Sequence, residues 1–224
     1  MEKTKIWIQE EKATAEFLEN IPGYIKINGN IKHVYYIGAH MDGNNDNVDQ
    51  LFLQRFLLAQ YKYPIYLTFV VFDNEEEDMM ALLEKHHIPY SMIHLEEMGT
   101  YYTLFKKHRY HPPCFTIQIM DATVLEFILE ETYWRAEANE FFCFSYGNNL
   151  QFELNTVTEW GRKKERSFAI FNGDTFTTYI TIEHDGRGFY LFSNEEKYKS
   201  IESLCENFPE GCVITQINDQ LIEE

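Results

Sequence analysis

The sequence HVYYIGA at residues 33–39 begins the part of the chain that decides the fold. Two further apolar segments follow, IYLTFVVF at 65–72 and YSMIHL at 90–95, and segments with apolar residues at helical spacing, 47–62 and 75–87, separate the three. Short connections between alternating strands and helices favour right-handed crossovers onto one sheet. The segment 65–72 is apolar on both faces, which is typical of a central strand covered by helices on both sides. The sequence therefore predicts an α/β fold with an open, mostly parallel sheet and flanking helices.

The spacing of apolar residues changes from helical to alternating after residue 140. Strand-like segments separated by Gly- and Asn-containing turns then follow, at 141–145, 150–154, 168–171, 177–183 and 189–193. This pattern predicts a β-rich α+β region built as an antiparallel meander. We therefore predict an α/β domain over residues 1–121 and the meander region over 122–224. Because no linker-like sequence separates them, one continuous domain is the alternative.

Net charge and aromatic content constrain the partners of this chain. The formal net charge is −17 and aromatic residues make up 16% of the chain. Such an acidic surface repels phosphate backbones and anionic membranes, and it attracts basic proteins. The basic cluster at residues 162–166 is more typical of an exposed loop than of a nucleic-acid site. We therefore expect a protein partner, basic in character, and no nucleic-acid or membrane partner.

Cysteine usage and hydropathy indicate the compartment. The four cysteines lie far apart in the sequence, with no Cys-x-x-Cys pair. The first residues, MEKTKIWIQEEK, lack the apolar core of a signal peptide, and the apolar run at 65–72 is too short to span a bilayer. The sequence therefore predicts a soluble cytoplasmic protein with free, mostly buried thiols.

Polar side chains follow each of the three apolar segments of residues 33–99. Open α/β sheets bind ligands at the carboxyl ends of their strands, which is where these side chains are expected. A histidine with several carboxylates at such an end can hold zinc or manganese, and a glutamate beside it can act as general base. The polar groups in question are His40, Asp42 and Asp46, then Asp73 to Asp78, then Glu96 and Glu97.

Three of these motifs resemble the core of the co-catalytic di-zinc aminopeptidases. His40-Met41-Asp42 with the following Asp46 resembles the first metal-binding motif of that family. FVVFDNEEE at 69–77 is similar to its strand and glutamate pair, and MIHLEEMG at 92–99 to its last motif, with a glutamate where the family has aspartate. The resemblance implies zinc as cofactor, held by the side chains of four residues, with a fifth as catalytic base. The ligands are His40, Asp46, Glu76 and Glu96, and the base is Glu75.

The same carboxylates also suit purely structural roles. Asp46 and Asp73 are typical helix N-caps, and acidic residues at 75–78 would stabilise a helix N-terminus through its dipole. No G-x-G-x-x-G or G-x-S-x-G motif is present in the sequence. Two functions therefore stay open. The first is a non-catalytic protein-interaction module without a cofactor, and the second is a zinc-dependent, peptidase-like hydrolase.

Overall fold

A ten-stranded sheet forms the centre of the protein in a computed structural model that describes residues 3–19, 21, 23–40, 47–104, 106–148, 150–174 and 178–222. Its strands are β1 (Thr4–Glu11), β3 (His33–His40), β4 (Ile65–Val70), β5 (Tyr90–His94), β8 (Pro113–Ile119), β9 (Phe142–Ser145), β12 (Thr178–Ile182), β13 (Phe189–Ser193), β14 (Cys212–Ile217) and β15 (Gln220–Leu221). They lie in the order β15-β14-β1-β3-β13-β12-β9-β4-β8-β5.

Smaller elements surround this central sheet. A three-stranded sheet contains β10 (Gln151–Glu159), β11 (Arg162–Asn172) and β2 (Ile25–Asn28), and a separate hairpin contains β6 (Gly99–Thr103) and β7 (Lys106–Tyr110). The helices are α1 (Ala15–Glu19), α2 (Val48–Ala59), α3 (Glu76–Lys85), α4 (Ala122–Thr132), α5 (Trp134–Glu137) and α6 (Ile201–Glu206). None of the helices in the described part of the chain is long and apolar enough to cross a membrane.

The prediction of a mixed α/β protein with a large sheet is confirmed, but the prediction of a mostly parallel sheet is wrong. The β1–β14 pair is parallel, and the other strand pairs described in the central sheet are antiparallel. The successive antiparallel pairings make β3, β4 and β5 run in one direction, as helical crossovers require, but these strands are not neighbours. Strands β13, β12 and β9 lie between β3 and β4, and β8 lies between β4 and β5. Apolar periodicity reports how a strand is buried and does not identify its neighbours.

The predicted C-terminal meander is divided between two sheets. Strands β12 and β13 pair as a hairpin, as predicted, whereas β10 and β11 leave the central sheet and pair with β2. Strand β2 does not pair with β3, which follows it in the chain, and runs parallel to β11 in the small sheet. Strands from both sides of residue 121 alternate in the central sheet, and this arrangement favours one continuous domain over two.

Alternating side chains of the central sheet form two apolar layers. On one face, Phe189 and Leu191 pack with helix residues, and Phe52 of α2 stacks on Phe189 with ring centroids 5.9 Å apart. On the other face, Tyr179 packs against the small sheet, its ring centroid 4.2 Å from that of Phe171. Each such fully buried side chain stabilises the fold by about 1.5–3 kcal/mol. The predicted free thiols are also present, and two of the four, Cys114 and Cys143, are buried.

Candidate binding cleft and hairpins

A cleft of about 690 Å³ opens between the central sheet and the small sheet. It lies at the end of the central sheet where β4 and β12 finish, which we call the upper end. Its walls are largely apolar and aromatic, and charged side chains also line it. A concave apolar site with a few polar groups is the usual form of a binding site. The apolar lining includes Ile25, Leu95, Phe141, Phe142, Phe152 and Phe168, and the charged lining consists of Glu97, Glu140, Arg166, Glu183 and His184.

Two carboxylates of the cleft are in unusual surroundings. Burial raises the pKa of Glu140, and the neighbouring carboxylates of Glu97 and Glu75 raise it further against the opposing effect of Arg135. The Oε2 atom of Glu183 is buried and has no hydrogen-bond partner among the described residues. Both carboxylates line the cleft in surroundings that solvate charge poorly.

Glu97 holds the small sheet to the turn that precedes β6. Its Oε2 accepts a hydrogen bond from the Ser167 backbone N–H at 2.6 Å, and its own N–H donates to Ser167 Oγ at 3.3 Å. Its Oε1 also lies 3.8 Å from Arg166 Nη1. His111 braces the same turn, because its Nδ1 lies 2.9 Å from the Leu95 carbonyl oxygen and 3.1 Å from that of Glu97. Both hairpins, β6–β7 and β10–β11, therefore leave the body of the protein at one place on the rim of the cleft.

A charged cluster stiffens the outer part of the β10–β11 hairpin. Glu159 accepts hydrogen bonds from Arg166 Nε at 2.7 Å, from Lys164 Nζ at 2.5 Å and from the Tyr24 hydroxyl at 2.5 Å. Two cations and a hydroxyl favour the charged form, so they hold the pKa of Glu159 well below its ordinary value. The prediction of a loop at residues 162–166 is wrong, since these residues belong to strand β11.

The tip of this hairpin presents an unpacked tryptophan. Trp160 and Gly161 form the two-residue turn between Glu159 and Arg162, and both have positive φ, at 53° and 73°. Positive φ at both central positions is the geometry of a type I′ turn, which favours Asn-Gly. The Trp160 side chain is 97% exposed.

The β6–β7 hairpin also carries apolar groups outward. Leu104 in its turn is 93% exposed and Tyr102 is 74% exposed. On the opposite face, Tyr101 stacks on His108 with ring centroids 4.7 Å apart, and its hydroxyl lies 3.5 Å from Asp73 Oδ2. One face of this hairpin is therefore held against the body, and the other face is directed outward.

The residues of the predicted metal site are not brought together around one point in the described part of the chain. His40 is exposed at the end of β3, and the four strand spacings between β3 and β4 correspond to about 19 Å. Asp42 and Asp46 lie outside the described residues. Among the residues that are described, no three His, Cys, Asp or Glu side chains form a group that could hold a metal ion.

The predicted catalytic base, Glu75, is engaged by a buried arginine. Its Oε2 accepts hydrogen bonds from Arg135 Nη1 at 2.6 Å and from the Phe72 backbone N–H at 3.2 Å. The Arg135 side chain is only 4% exposed, and its guanidinium lies 4.3 Å from the Trp134 ring centroid. No sequence pattern predicted this arginine, because helix periodicity alone does not show a charged residue turned inward.

The two remaining predicted ligands lie near β5. Glu76 Oε2 is 3.0 Å from His94 Nε2, so one histidine and one candidate ligand do meet. Glu96 is exposed, and the neighbouring Glu97 is the residue that enters the cleft. Asp49, a half-buried residue in the first turn of α2, accepts a hydrogen bond from the Ala39 backbone N–H at 3.0 Å just before His40.

Comparison of this chain with protein-family models, with curated proteins and with solved structures finds no match. The function is therefore argued from the cleft and the hairpins.

Proposed function

We propose that this chain is a non-catalytic protein-interaction module that binds a partner protein with the tips of its β6–β7 and β10–β11 hairpins. The observation that carries the proposal is the placement of Trp160. A residue other than glycine in the left-handed conformation costs about 1–2 kcal/mol. Because the side chain is 97% exposed, packing within the described fold offsets almost none of that cost. Tyr61 combines positive φ with exposure as well, and Trp160 differs from it because its hairpin leaves the body of the protein at the same place as the hairpin that carries Tyr102 and Leu104.

The composition of the tips supports the same proposal. Tryptophan and tyrosine are enriched in protein interfaces, and a few such side chains supply most of the binding free energy. Three of the five described large apolar side chains that are more than 70% exposed lie on these hairpins: Tyr102, Leu104 and Trp160. The apolar cleft below the hairpins offers further surface to the same partner.

The alternative, a zinc-dependent hydrolase, has less support from the geometry. His40 ends a strand that lies four positions from β4, and Glu75 is paired with Arg135. Stoichiometric zinc in protein purified without chelator, lost on His40→Ala, would favour the hydrolase over our proposal.

The proposal is tested by capture of partners on immobilised protein, with variants that change only exposed side chains. The test variant is Trp160→Asn with Leu104→Ser. The matched control is Tyr61→Asn with Leu221→Ser, because Tyr61 also has positive φ and is 91% exposed, and Leu221 is 80% exposed.

We expect a protein that the wild-type chain and the control retain equally, and that the test variant retains at least roughly tenfold less, as for loss of hot-spot side chains. The same set of retained proteins on all three forms would contradict the proposal.

A further inference from the structure

The two hairpins differ in charge from the rest of the molecule. Residues 99–110 contain three Lys/Arg and no Asp/Glu, and residues 157–166 contain four Lys/Arg and two Asp/Glu. These segments therefore carry net charges of +3 and +2. All other residues together carry −22, which gives the chain its net charge of −17. The basic charge is concentrated on the same hairpins that carry the exposed aromatic side chains.

The outward face of the β6–β7 hairpin combines cations with an aromatic ring. Tyr102 pairs across the strands with Lys107, and Thr100 pairs with Arg109, so these four side chains share one face. All four residues are exposed. No described carboxylate forms an ion pair with Lys107 or Arg109, whose charges therefore remain available to a partner.

The β10–β11 hairpin shows the same combination at its tip. Glu159 already pairs with Lys164 and Arg166, which belong to the stiffening cluster below the turn. Arg162 and Lys163 follow the Trp160-Gly161 turn, are exposed, and have no ion pair with a described carboxylate. The tip thus offers one large ring next to two available cations.

We infer that the partner docks onto these hairpins through a short acidic segment that also contains apolar side chains. The inference rests on the proposed function and specifies the chemistry of its partner. Charge complementarity determines the sign of the segment's charge. An anionic segment is repelled by the body of the molecule and is attracted to the hairpins. The apolar residues of the segment would cover the rings of Tyr102 and Trp160.

Acidic residues near the base of the β6–β7 hairpin favour a short peptide segment over a nucleic-acid strand as the ligand of the hairpins. Five carboxylates lie within residues 73–78, and the Tyr101 hydroxyl is 3.5 Å from one of them, Asp73. An extended phosphate backbone crossing the hairpins would meet this acidic helix start, whereas a segment confined to the tips would not. The net charge of the whole chain predicts a basic partner. Because the hairpins carry a net positive charge, an acidic partner segment is expected at the hairpins instead.

The test measures binding of labelled probes by fluorescence anisotropy. The probes are a peptide of Leu-Glu-Asp repeats, a peptide of Leu-Lys-Arg repeats of equal length, and oligodeoxythymidine. The test variant reverses three hairpin charges, Lys107→Glu, Arg109→Glu and Lys163→Glu. The matched control reverses three exposed charges at the opposite end of the molecule, Lys12→Glu, Lys85→Glu and Lys199→Glu, so that both variants have the same net charge.

We expect the acidic peptide to bind the wild-type chain and the control with similar affinity, and binding to weaken as salt is added. The test variant should bind it at least roughly tenfold more weakly. The inference is overturned by equal binding to both variants, by no binding of the acidic peptide to the wild-type chain, or by tighter binding of the basic peptide or of oligodeoxythymidine. A captured partner that depends on Trp160 but not on the three hairpin charges would leave the proposed function standing and remove this inference alone.

Discussion

The sequence around Glu75 fits a catalytic motif and a structural role equally well. In the structure its carboxylate neutralises Arg135, whose side chain is 4% exposed. We expect Glu75→Gln to lower the free energy of unfolding by about 1–3 kcal/mol, because it removes the charged group that is hydrogen-bonded to a buried guanidinium. Urea unfolding followed by circular dichroism measures this change.

The neighbouring residue supplies the control for that experiment. Glu76 contacts His94, whose side chain is 49% exposed, so Glu76→Gln should cost less than about 0.5 kcal/mol. Equal unfolding midpoints for the two variants would show that the Arg135 pair does not stabilise the fold, and a catalytic role for Glu75 would then gain weight.

Glu159 gives the protein a specific response to acid. The folded state lowers the pKa of this carboxyl below its ordinary value of 4.5, so it binds a proton less readily than the unfolded chain does. Its contribution is therefore complete above about pH 4.5 and is lost progressively as the pH falls toward the folded pKa.

We expect Glu159→Gln to be less stable than the wild-type chain at neutral pH, with the difference shrinking as the pH falls below about 4.5. Urea titrations at several pH values measure it. A difference that stays constant from neutral to acidic pH would contradict the role assigned to the cluster of Arg166, Lys164 and Tyr24.

The residues of the candidate site were only partly accessible to prediction. Asp73 was predicted as the helix N-cap, but α3 begins at Glu76 and Glu75 occupies its N-cap position, with its carboxylate accepting a hydrogen bond from the Phe72 backbone N–H. The cleft was not predicted, because its walls come from segments as distant as residues 21–25 and 166–168. A signal for the hairpins was present: Trp-Gly between two alternating segments is a possible two-residue turn, and the basic residues 106–109 follow two adjacent tyrosines.

At the scale of the element, the β10–β11 turn has a backbone conformation that disfavours tryptophan, and the tryptophan that occupies it is exposed. Asparagine tolerates positive φ better than tryptophan does, and Asn-Gly is the preferred type I′ sequence. We expect Trp160→Asn to raise the free energy of unfolding by roughly 0.5–1 kcal/mol. Thermal and urea unfolding measure the gain.

Tyr61 is the matched comparison, since it has a φ of 49° just beyond the end of α2 and is exposed. Tyr61→Asn should stabilise the protein by a similar amount without affecting partner capture. Loss of stability in Trp160→Asn would mean that the ring supports the fold and that packing compensates the backbone strain at this turn.

Elements were predicted more accurately than their pairing. Helix α2 lies within the helical segment predicted at residues 47–62, and α3 within the one predicted at 75–87. Strands such as β3 and β4 lie close to their predicted bounds. The pairing of β4 with β9 and of β3 with β13 depends on contacts between residues more than 70 positions apart, and no local pattern encodes them.

At the scale of the whole molecule, the order of the strands determines how the chain can fold. Strands β9, β12 and β13, all after residue 121, fill the space between β3 and β4, which both precede it. Without them, one edge each of β3 and β4 would be unpaired, and the apolar side chains that pack against Phe189, Leu191 and Ile180 would be exposed. Exposed apolar strand edges of this kind favour aggregation.

We therefore expect neither residues 1–121 nor residues 122–224 to fold alone. Each fragment should lack a cooperative urea transition and a near-ultraviolet circular dichroism signal, whereas the full chain unfolds in one transition. Co-expression of the two fragments should restore the signal, because together they supply every strand of the central sheet. A cooperative transition in isolated residues 1–121 would show that this half has a core of its own, and the chain would then be two domains whose strands associate after folding.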